Sequence, residues 1–348
     1  MDVRDRVDPA YRELLQAAAA APPVDWSNPA KVRADRAAMM PPPPIPQGID
    51  CVDHDAPAPE GAPTVKVRTY RATGATGATG AVGASEEKGA QPAIFWIHGG
   101  GYMGGTFEGQ NDTASEWAAD LGCTVASVEY RLAPEHPYPA PLEDCYAGLK
   151  WLISNADSLG VDPSRVIIAG GSAGAGLAAG LALLVRDRGE LSISHQVLIY
   201  PMIDDTRTTA SSQWTTWVWT KESNDTGWRA YLGDLFDSDE VPPYAAPSRA
   251  TDLSGLPPTY VMVGTLDLFL DEDLEYARRL IEAGVPTELK VYSGGPHAFD
   301  SQRLSGGAEL GRRAHADTKD YLRRALAASA ASAGGAASAA SAGSASSV

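Results

Sequence analysis

The chain has 348 residues, 44% hydrophobic and 21% charged, with 28 Lys and Arg against 44 Asp and Glu for a formal net charge of -16. That length and composition support a large globular core, and the acidic balance argues against nucleic acid or anionic lipid as a partner, since a binder of either needs a basic surface. Cys51, Cys123 and Cys145 are odd in number, widely spaced and without a CxxC pair, so they read as reduced packing residues, not as a disulfide framework or a zinc site.

In chain order, the opening MDVRDRVDPAYRELLQAAAAAPPVDW mixes charges of both signs and lacks the apolar core of a secretory signal. No later stretch reaches membrane-spanning length without polar residues, so a soluble, cytoplasmic protein is expected, with no membrane partner. Residues 1–47 pair a helix-like run around Tyr11 to Ala21 with a proline stretch at Pro41 to Pro46, and are expected to form an N-terminal cap segment tethered to the body. Residues 48–327 then alternate short β-branched or apolar runs with longer helical patterns. TVKVRTY, AIFWIH, TVASVEY, RVIIAG, HQVLIY, TYVMVG and ELKVYS are the predicted strands, several of them nearly continuous in apolar residues, as strands covered on both faces are. Leu142 to Ala156, Ala173 to Arg188, Asp271 to Ala283 and Ala308 to Ala327 are the predicted helices.

Strand and helix in alternation imply an α/β fold, with a mostly parallel central sheet flanked by helices. Three stretches break the pattern. The Gly/Ala/Thr-rich run GATGATGAVGASEEKGAQ and the Ala/Ser/Gly tail at 328–348 have too little apolar content to offset ordering entropy and are expected to be flexible. The segment at about 204–244 carries Trp214, Trp217, Trp219 and Trp228, half of the eight tryptophans, and reads as a cap insertion over a site.

Gly170-Gly171-Ser172-Ala173-Gly174 follows the strand RVIIA and opens the run AGLAAGLALLVRDR, which is where a G-x-S-x-G nucleophile elbow must sit. Small neighbours are required because larger side chains clash across so tight a strand-to-helix reversal. Upstream, His98-Gly99-Gly100-Gly101 ends the strand AIFWI as an oxyanion loop does: backbone N–H groups converge on a developing negative oxygen only where no side chain blocks the approach. Ala173, next after the serine, supplies a donor from the other side. The loop lacks the Lys-Ser/Thr of a phosphate-binding loop and the spacing of a dinucleotide fingerprint.

An acid and a base must follow in that order. Asp267 lies just after TYVMVG and His297 just after ELKVYS, both at C-terminal strand ends, the edge where an open α/β sheet places its site. Asp271, Glu272 and Asp273 are rival acids, although at a helix start carboxylates commonly do no more than stabilise the dipole. His54, His136, His195 and His315 are poorly placed for catalysis. Ser172 as nucleophile, His297 as general base and Asp267 as the acid that orients it make a constellation for ester hydrolysis through an acyl-enzyme, a chemistry that needs no metal or organic cofactor.

Through HGGGYMGG, YRLAPEHPYPAPLEDCYAGLKWL, GGSAG, GTLDLFLDEDLEYARRL and GGPHAF, from about Ala93 to Phe299, the chain resembles the hormone-sensitive-lipase-like branch of the α/β-hydrolases, the bacterial family IV carboxylesterases. The resemblance implies an α/β-hydrolase fold with a helical cap built from the N-terminal segment and the 204–244 insertion. It selects the N–H groups of Gly100, Gly101 and Ala173 as oxyanion donors, and gives Tyr130-Arg131-Leu132-Ala133-Pro134 and Asp144 a supporting role behind that loop. It also implies a small-molecule ester of short to medium chain as substrate; a homodimer is compatible with it. Two positions depart from the family's usual Gly-Asp-Ser-Ala-Gly-Gly: Gly171 stands before the serine and Ala175 after the motif. An acyltransferase or a lactonase uses the same machinery, whereas the plant receptors that resemble this branch lack the histidine present here as His297.

Overall fold

The computed structural model describes residues 6–20, 24–58, 61–73, 89–214, 218–301 and 308–342. Most of the Gly/Ala/Thr-rich linker (74–88), Trp217 and the last six residues lie outside that set. Strands β1 (Ile49–Ala56), β2 (Val65–Ala72), β3 (Gln91–Ile97), β4 (Thr124–Glu129), β5 (Val161–Gly171), β6 (His195–Ile199), β7 (Thr259–Leu266) and β8 (Thr287–Pro296) form one sheet in the order β1-β2-β4-β3-β5-β6-β7-β8. Pairing is parallel from β4 through β3 to β8 and antiparallel for β1 with β2 and β2 with β4. The seven strands expected from sequence are all present. The eighth, β1, reads IDCVDHDA; its aspartates hide a strand that is tolerated because it lies at the sheet edge, where Asp53 pairs with Arg68 of β2.

Alternation along the central strands builds two cores. Ala93, Phe95 and Ile97 of β3, with Val166 and Ile168 of β5, point to one face; Ile94 and Trp96, with Ile167 and Ala169, point to the other. The first face is covered by α4 (Ala140–Ser154), α6 (Ala173–Arg188) and α8 (Leu270–Glu282), the second by α3 (Asn111–Leu121) and the C-terminal helix α9 (Glu309–Ala342). Short α5 (Ala156–Leu159) leads into β5. Helix α9 spans Glu309–Ala342 and carries the chain past Ala327, where the flexible tail was expected to begin. Alanine is the strongest helix former, so an Ala-rich sequence readily extends a helix already anchored by Leu322 and Leu326.

The N-terminal segment is more than a tethered appendage. Val7, Tyr11 and Leu15, the last on α1 (Arg12–Ala20), are buried in the second core, the Tyr11 hydroxyl donates to Phe299 O at 2.8 Å, and Asp8 N–H donates to Gly294 O at 3.1 Å. Helix α2 (Pro29–Met39) lies by the glycine-rich loop, where Arg36 Nη1 would be 3.8 Å from a Cβ on Gly104; Arg33 Nη2 donates to both carboxylate oxygens of Glu135, and Arg36 lies over the Trp26 ring at 4.9 Å. Within the 204–244 insertion, α7 (Lys221–Leu232) buries Trp228 and Tyr231 against Tyr102, whose ring stacks on Tyr231 at 4.0 Å.

Candidate active site

Ser172 occupies the single residue between β5 and α6. Its backbone sits at φ 57°, ψ -124°, a strained conformation for a side chain, fixed by its N–H donating to Ile199 O at 2.9 Å. The strain turns the hydroxyl out at the C-terminal edge of the sheet, over the N-terminus of α6. Gly174 shows why the elbow needs small residues: a Cβ there would lie 2.2 Å from Ile97 O and 2.4 Å from His98 O, because the helix start presses directly on the end of β3.

The structure brings the two other candidates to this point from 95 and 125 residues away in sequence (267 minus 172, 297 minus 172). His297, next after β8, places Nε2 at 3.0 Å from Ser172 Oγ and Nδ1 at 2.8 Å from Asp267 Oδ2. Asp267, next after β7, is fully buried, and its other oxygen accepts the Phe269 N–H at 3.0 Å. An ionised carboxylate only accepts, so Nδ1 carries the imidazole proton and Nε2 is left to accept from the Ser172 hydroxyl. The imidazole is held edge-to-face by Phe269 (5.2 Å) and Tyr200 (4.8 Å).

The rival carboxylates of α8 do other work. Asp271 accepts the Ser211 N–H at 2.8 Å, and Glu272 accepts the N–H groups of Ile203 and Asp204 at 3.0 and 3.2 Å, tying the insertion to the body. Burial pushes the carboxyls of Glu272 and Asp273 well up. Among the described residues none of the three contacts His297.

Across from Ser172, the HGGG loop leaves β3. Gly101 has φ +62°, and a Cβ on it would stand 2.1 Å from Trp219 Cη2, so the insertion's tryptophan closes directly on the loop. Gly100 O accepts from Met103 and Gly104, while the N–H groups of Gly100, Gly101 and Ala173 have no acceptor inside the protein among the described residues. Unspent donors beside a strained serine are what a developing oxyanion requires. His98 is a buried prop: it stacks on Tyr130 at 4.3 Å, its Nδ1 donates to Gly99 O at 2.9 Å, and burial pushes its pKa down to about 4. The Tyr130 hydroxyl donates to His98 O at 2.8 Å, and Arg131 is clamped by three contacts to Asp144 at 2.7 to 2.9 Å.

A cavity of about 980 Å³ adjoins this centre, walled by Arg36 of α2, Met40 just past it, Gly99, Gly100, Gly171 and Tyr200. Of the insertion's tryptophans, Trp219 and Trp228 are buried, whereas Trp214 is partly open with Arg6 5.8 Å from its ring. Sequence reasoning missed Tyr200 and Asp300, whose side chains join at 2.8 Å beside His297. The usable signal was position, since Tyr200 directly follows β6 and Asp300 lies three residues after His297. Cys123 and Cys145 are buried thiols with raised pKa, Cys123 to about 12, and Cys51 also titrates above its ordinary range through burial. Among the described residues, no cluster of His, Cys, Asp and Glu has metal-binding geometry, and no helix is long and apolar enough to cross a membrane.

A mostly parallel sheet covered on both faces, with a strained serine after β5 and an acid and a histidine after β7 and β8, defines an α/β-hydrolase. Residues 94–301 match the family model described as alpha/beta hydrolase fold. Esterase LipI of Mycobacterium tuberculosis is 35% identical over 200 residues, covering 57% of this chain and 62% of that protein. Carboxylic ester hydrolase LipN of the same organism is 34% identical over 271 residues, covering 76% and 68%. The solved structure titled Bacterial Heroin Esterase superposes with a TM-score of 0.82 at 37% identity, covering 92% of this chain and 98% of that one. The chain thus spans under two thirds of LipI, and similarly 63% of the M. tuberculosis carboxylesterase NlhH. The chain belongs to the α/β-hydrolase fold family and, within it, to the hormone-sensitive-lipase-like branch.

Proposed function

We propose that this protein is a serine carboxylesterase acting on short- to medium-chain esters. The observation that carries the reading is the hydrogen-bonded line from Ser172 Oγ through His297 to Asp267, beside three N–H groups that are unpaired among the described residues. Ser172 attacks the ester carbonyl as His297 Nε2 takes its proton. The N–H groups of Gly100, Gly101 and Ala173 hold the resulting oxyanion, and the imidazolium, stabilised by Asp267, returns its proton to the departing alkoxide. Water, deprotonated by His297, then releases the acid from the acyl-enzyme. The segment 1–47 and the insertion at 204–244 act as the cap, with Trp219 bounding the acyl site above Gly101.

Ser172→Ala tests the core of the reading: a folded variant is expected to lose roughly 10⁴-fold or more in kcat on a nitrophenyl ester, and near-normal turnover refutes it. Chain length is the finer claim. Each methylene that fits gains about 0.8 kcal/mol until it meets the buried aromatic wall, so kcat/KM rises and then drops. A maximum at roughly two to eight acyl carbons is expected, and one at about sixteen overturns the short-chain assignment.

A further inference from the structure

Three features meet on the His297 side of Ser172. The first is Gly171, whose φ lies outside the left-handed region and where, among the described residues, an added Cβ would meet only Trp96 Cη2 and Tyr200 Cε2, each at an ordinary 3.9 Å. The missing side chain leaves a gap between two aromatic rings, open to the 980 Å³ cavity that Trp96, Tyr200, Ala298 and Asp300 also line.

The second is Tyr200. Its backbone is left-handed (φ 37°), pinned by its N–H donating to Met262 O at 2.7 Å; its ring abuts His297 and its hydroxyl donates to Asp300 Oδ1 at 2.8 Å. The third is Asp300, a carboxylate that faces the cavity with no Lys or Arg paired to it among the described residues. The nearby His315 is already engaged with Glu116 at 3.0 Å, and Glu116 in turn with Lys319 at 2.7 Å. Burial pushes the Asp300 carboxyl up, opposed by the Tyr200 hydroxyl and by His315 and His297. A half-buried acid without a counter-ion is costly to ionise, and a cationic guest relieves that cost.

We propose that this end of the cavity binds the alcohol portion of esters whose leaving group carries a quaternary or protonated amine, with Asp300 as counter-ion and the Trp96 and Tyr200 rings around the cation. The assignment rests on the carboxylesterase reading, because His297 Nε2 must protonate the leaving oxygen and the alcohol therefore lies on its side. Cations bind over aromatic faces, more strongly when partly desolvated, and the chain's net charge of -16 raises their local concentration. Of the Lys and Arg side chains that line the cavity among the described residues, Arg33 is held by Glu135 and Arg36 lies over the Trp26 ring.

The test compares 2-(trimethylammonio)ethyl acetate with its uncharged isostere 3,3-dimethylbutyl acetate on the full-length protein. At low salt the charged ester is expected to have a kcat/KM about tenfold or more above the neutral one. Asp300→Asn keeps an acceptor for Tyr200 and should bring the ratio close to one. A wild-type ratio at or below one, or a ratio unchanged in Asp300→Asn, overturns the proposal. Should that variant not fold, competitive inhibition of the wild type decides: 2-(trimethylammonio)ethanol should bind more tightly than 3,3-dimethylbutanol, and equal inhibition overturns the assignment. Gly171→Leu, which fills the gap, should lower kcat/KM for both bulky esters relative to ethyl acetate, and an unchanged profile removes Gly171 from the site. If 4-nitrophenyl acetate is not hydrolysed either, it is the esterase reading that falls.

Discussion

Replacing Asp267 by asparagine isolates what the acid contributes, because it changes one atom in a fully buried position. The carboxylate has two fixed tasks: Oδ1 accepts the Phe269 N–H at 3.0 Å and Oδ2 accepts from His297 Nδ1 at 2.8 Å. Asparagine can satisfy only one of them as an acceptor. Turning its amide nitrogen toward Phe269 sets donor against donor in a site without water access, at a cost of about 1 to 3 kcal/mol. The amide therefore faces Nδ1, and the imidazole responds by moving its proton to Nε2, where it points at Ser172 Oγ and can no longer accept from it. Loss of the correct tautomer is worth roughly 10⁴ in kcat with the geometry otherwise intact. Asp271→Asn is the control: its partner is the Ser211 N–H, which an asparagine carbonyl can still serve, so kcat should stay within about tenfold of wild type. Steady-state kinetics on a nitrophenyl ester, with circular dichroism to confirm folding, decide the matter. An Asp267→Asn enzyme that keeps a tenth of its turnover, or an Asp271→Asn enzyme that is the more damaged, refutes the reasoning.

Gly101→Ala should cost about 10²- to 10³-fold in kcat, because the new methyl cannot coexist with the Trp219 ring and displaces the oxyanion donor; unchanged kinetics would show that the loop is not the oxyanion site. Burial pushes the Glu129 carboxyl up to about 7 from an ordinary 4.5, so its contribution to stability is complete below pH 4.5 and is lost as the pH rises towards 7. Glu129→Gln keeps an acceptor for the Phe107 N–H and should melt above wild type at pH 8 but not at pH 4, whereas parallel Tm profiles from pH 4 to 8 count against that burial. Truncation after Ala330 should change neither Tm nor turnover, since a segment dominated by Ala, Ser and Gly has little apolar surface to bury, and a large loss of either would show that the tail docks.

The site was legible because each of its reacting residues terminates a strand whose hydrophobic run is unmistakable. RVIIA, TYVMVG and ELKVYS locate Ser172, Asp267 and His297 within a residue or two, and the parallel sheet then needs only its handedness to bring the strand ends together. Strand β1 was illegible because its charged residues face solvent at a sheet edge, where pairing with β2 replaces burial as the stabilising term. Helix α2 escaped for a related reason: it buries none of its residues fully, and a helix held by the Arg33–Glu135 pair and the Arg36–Trp26 contact has no apolar stripe to betray it. The roles of the tryptophans were beyond sequence altogether. Nothing in the local pattern distinguishes Trp219, which closes on Gly101, from Trp228, which packs on Tyr102.

Backbone strain gathers at the site in a way that explains its location. Tyr102, Ser172, Tyr200 and Ala298 all adopt positive φ with a side chain present, and they follow β3, β5, β6 and β8 respectively. Such positions cost of order 1 to 3 kcal/mol each, so together they rival the net stability of an ordinary domain. They persist because each is held by partners the sheet itself supplies. Tyr102 is fixed by its hydroxyl on Met202 O, Ser172 by Ile199 O, Tyr200 by Met262 O and Asp300, and Ala298 by the turn that Phe299 N–H closes on Pro296 O. Ile199 O and Met202 O lie at and just beyond the end of β6, and Met262 O lies within β7, the two strands flanked by β5 and β8. A fold that must hold several strained residues within reach of one carbonyl carbon has few places to do it. The C-terminal edge of a sheet buried on both faces is one, because the ladders beneath the strand ends are already paid for by the core.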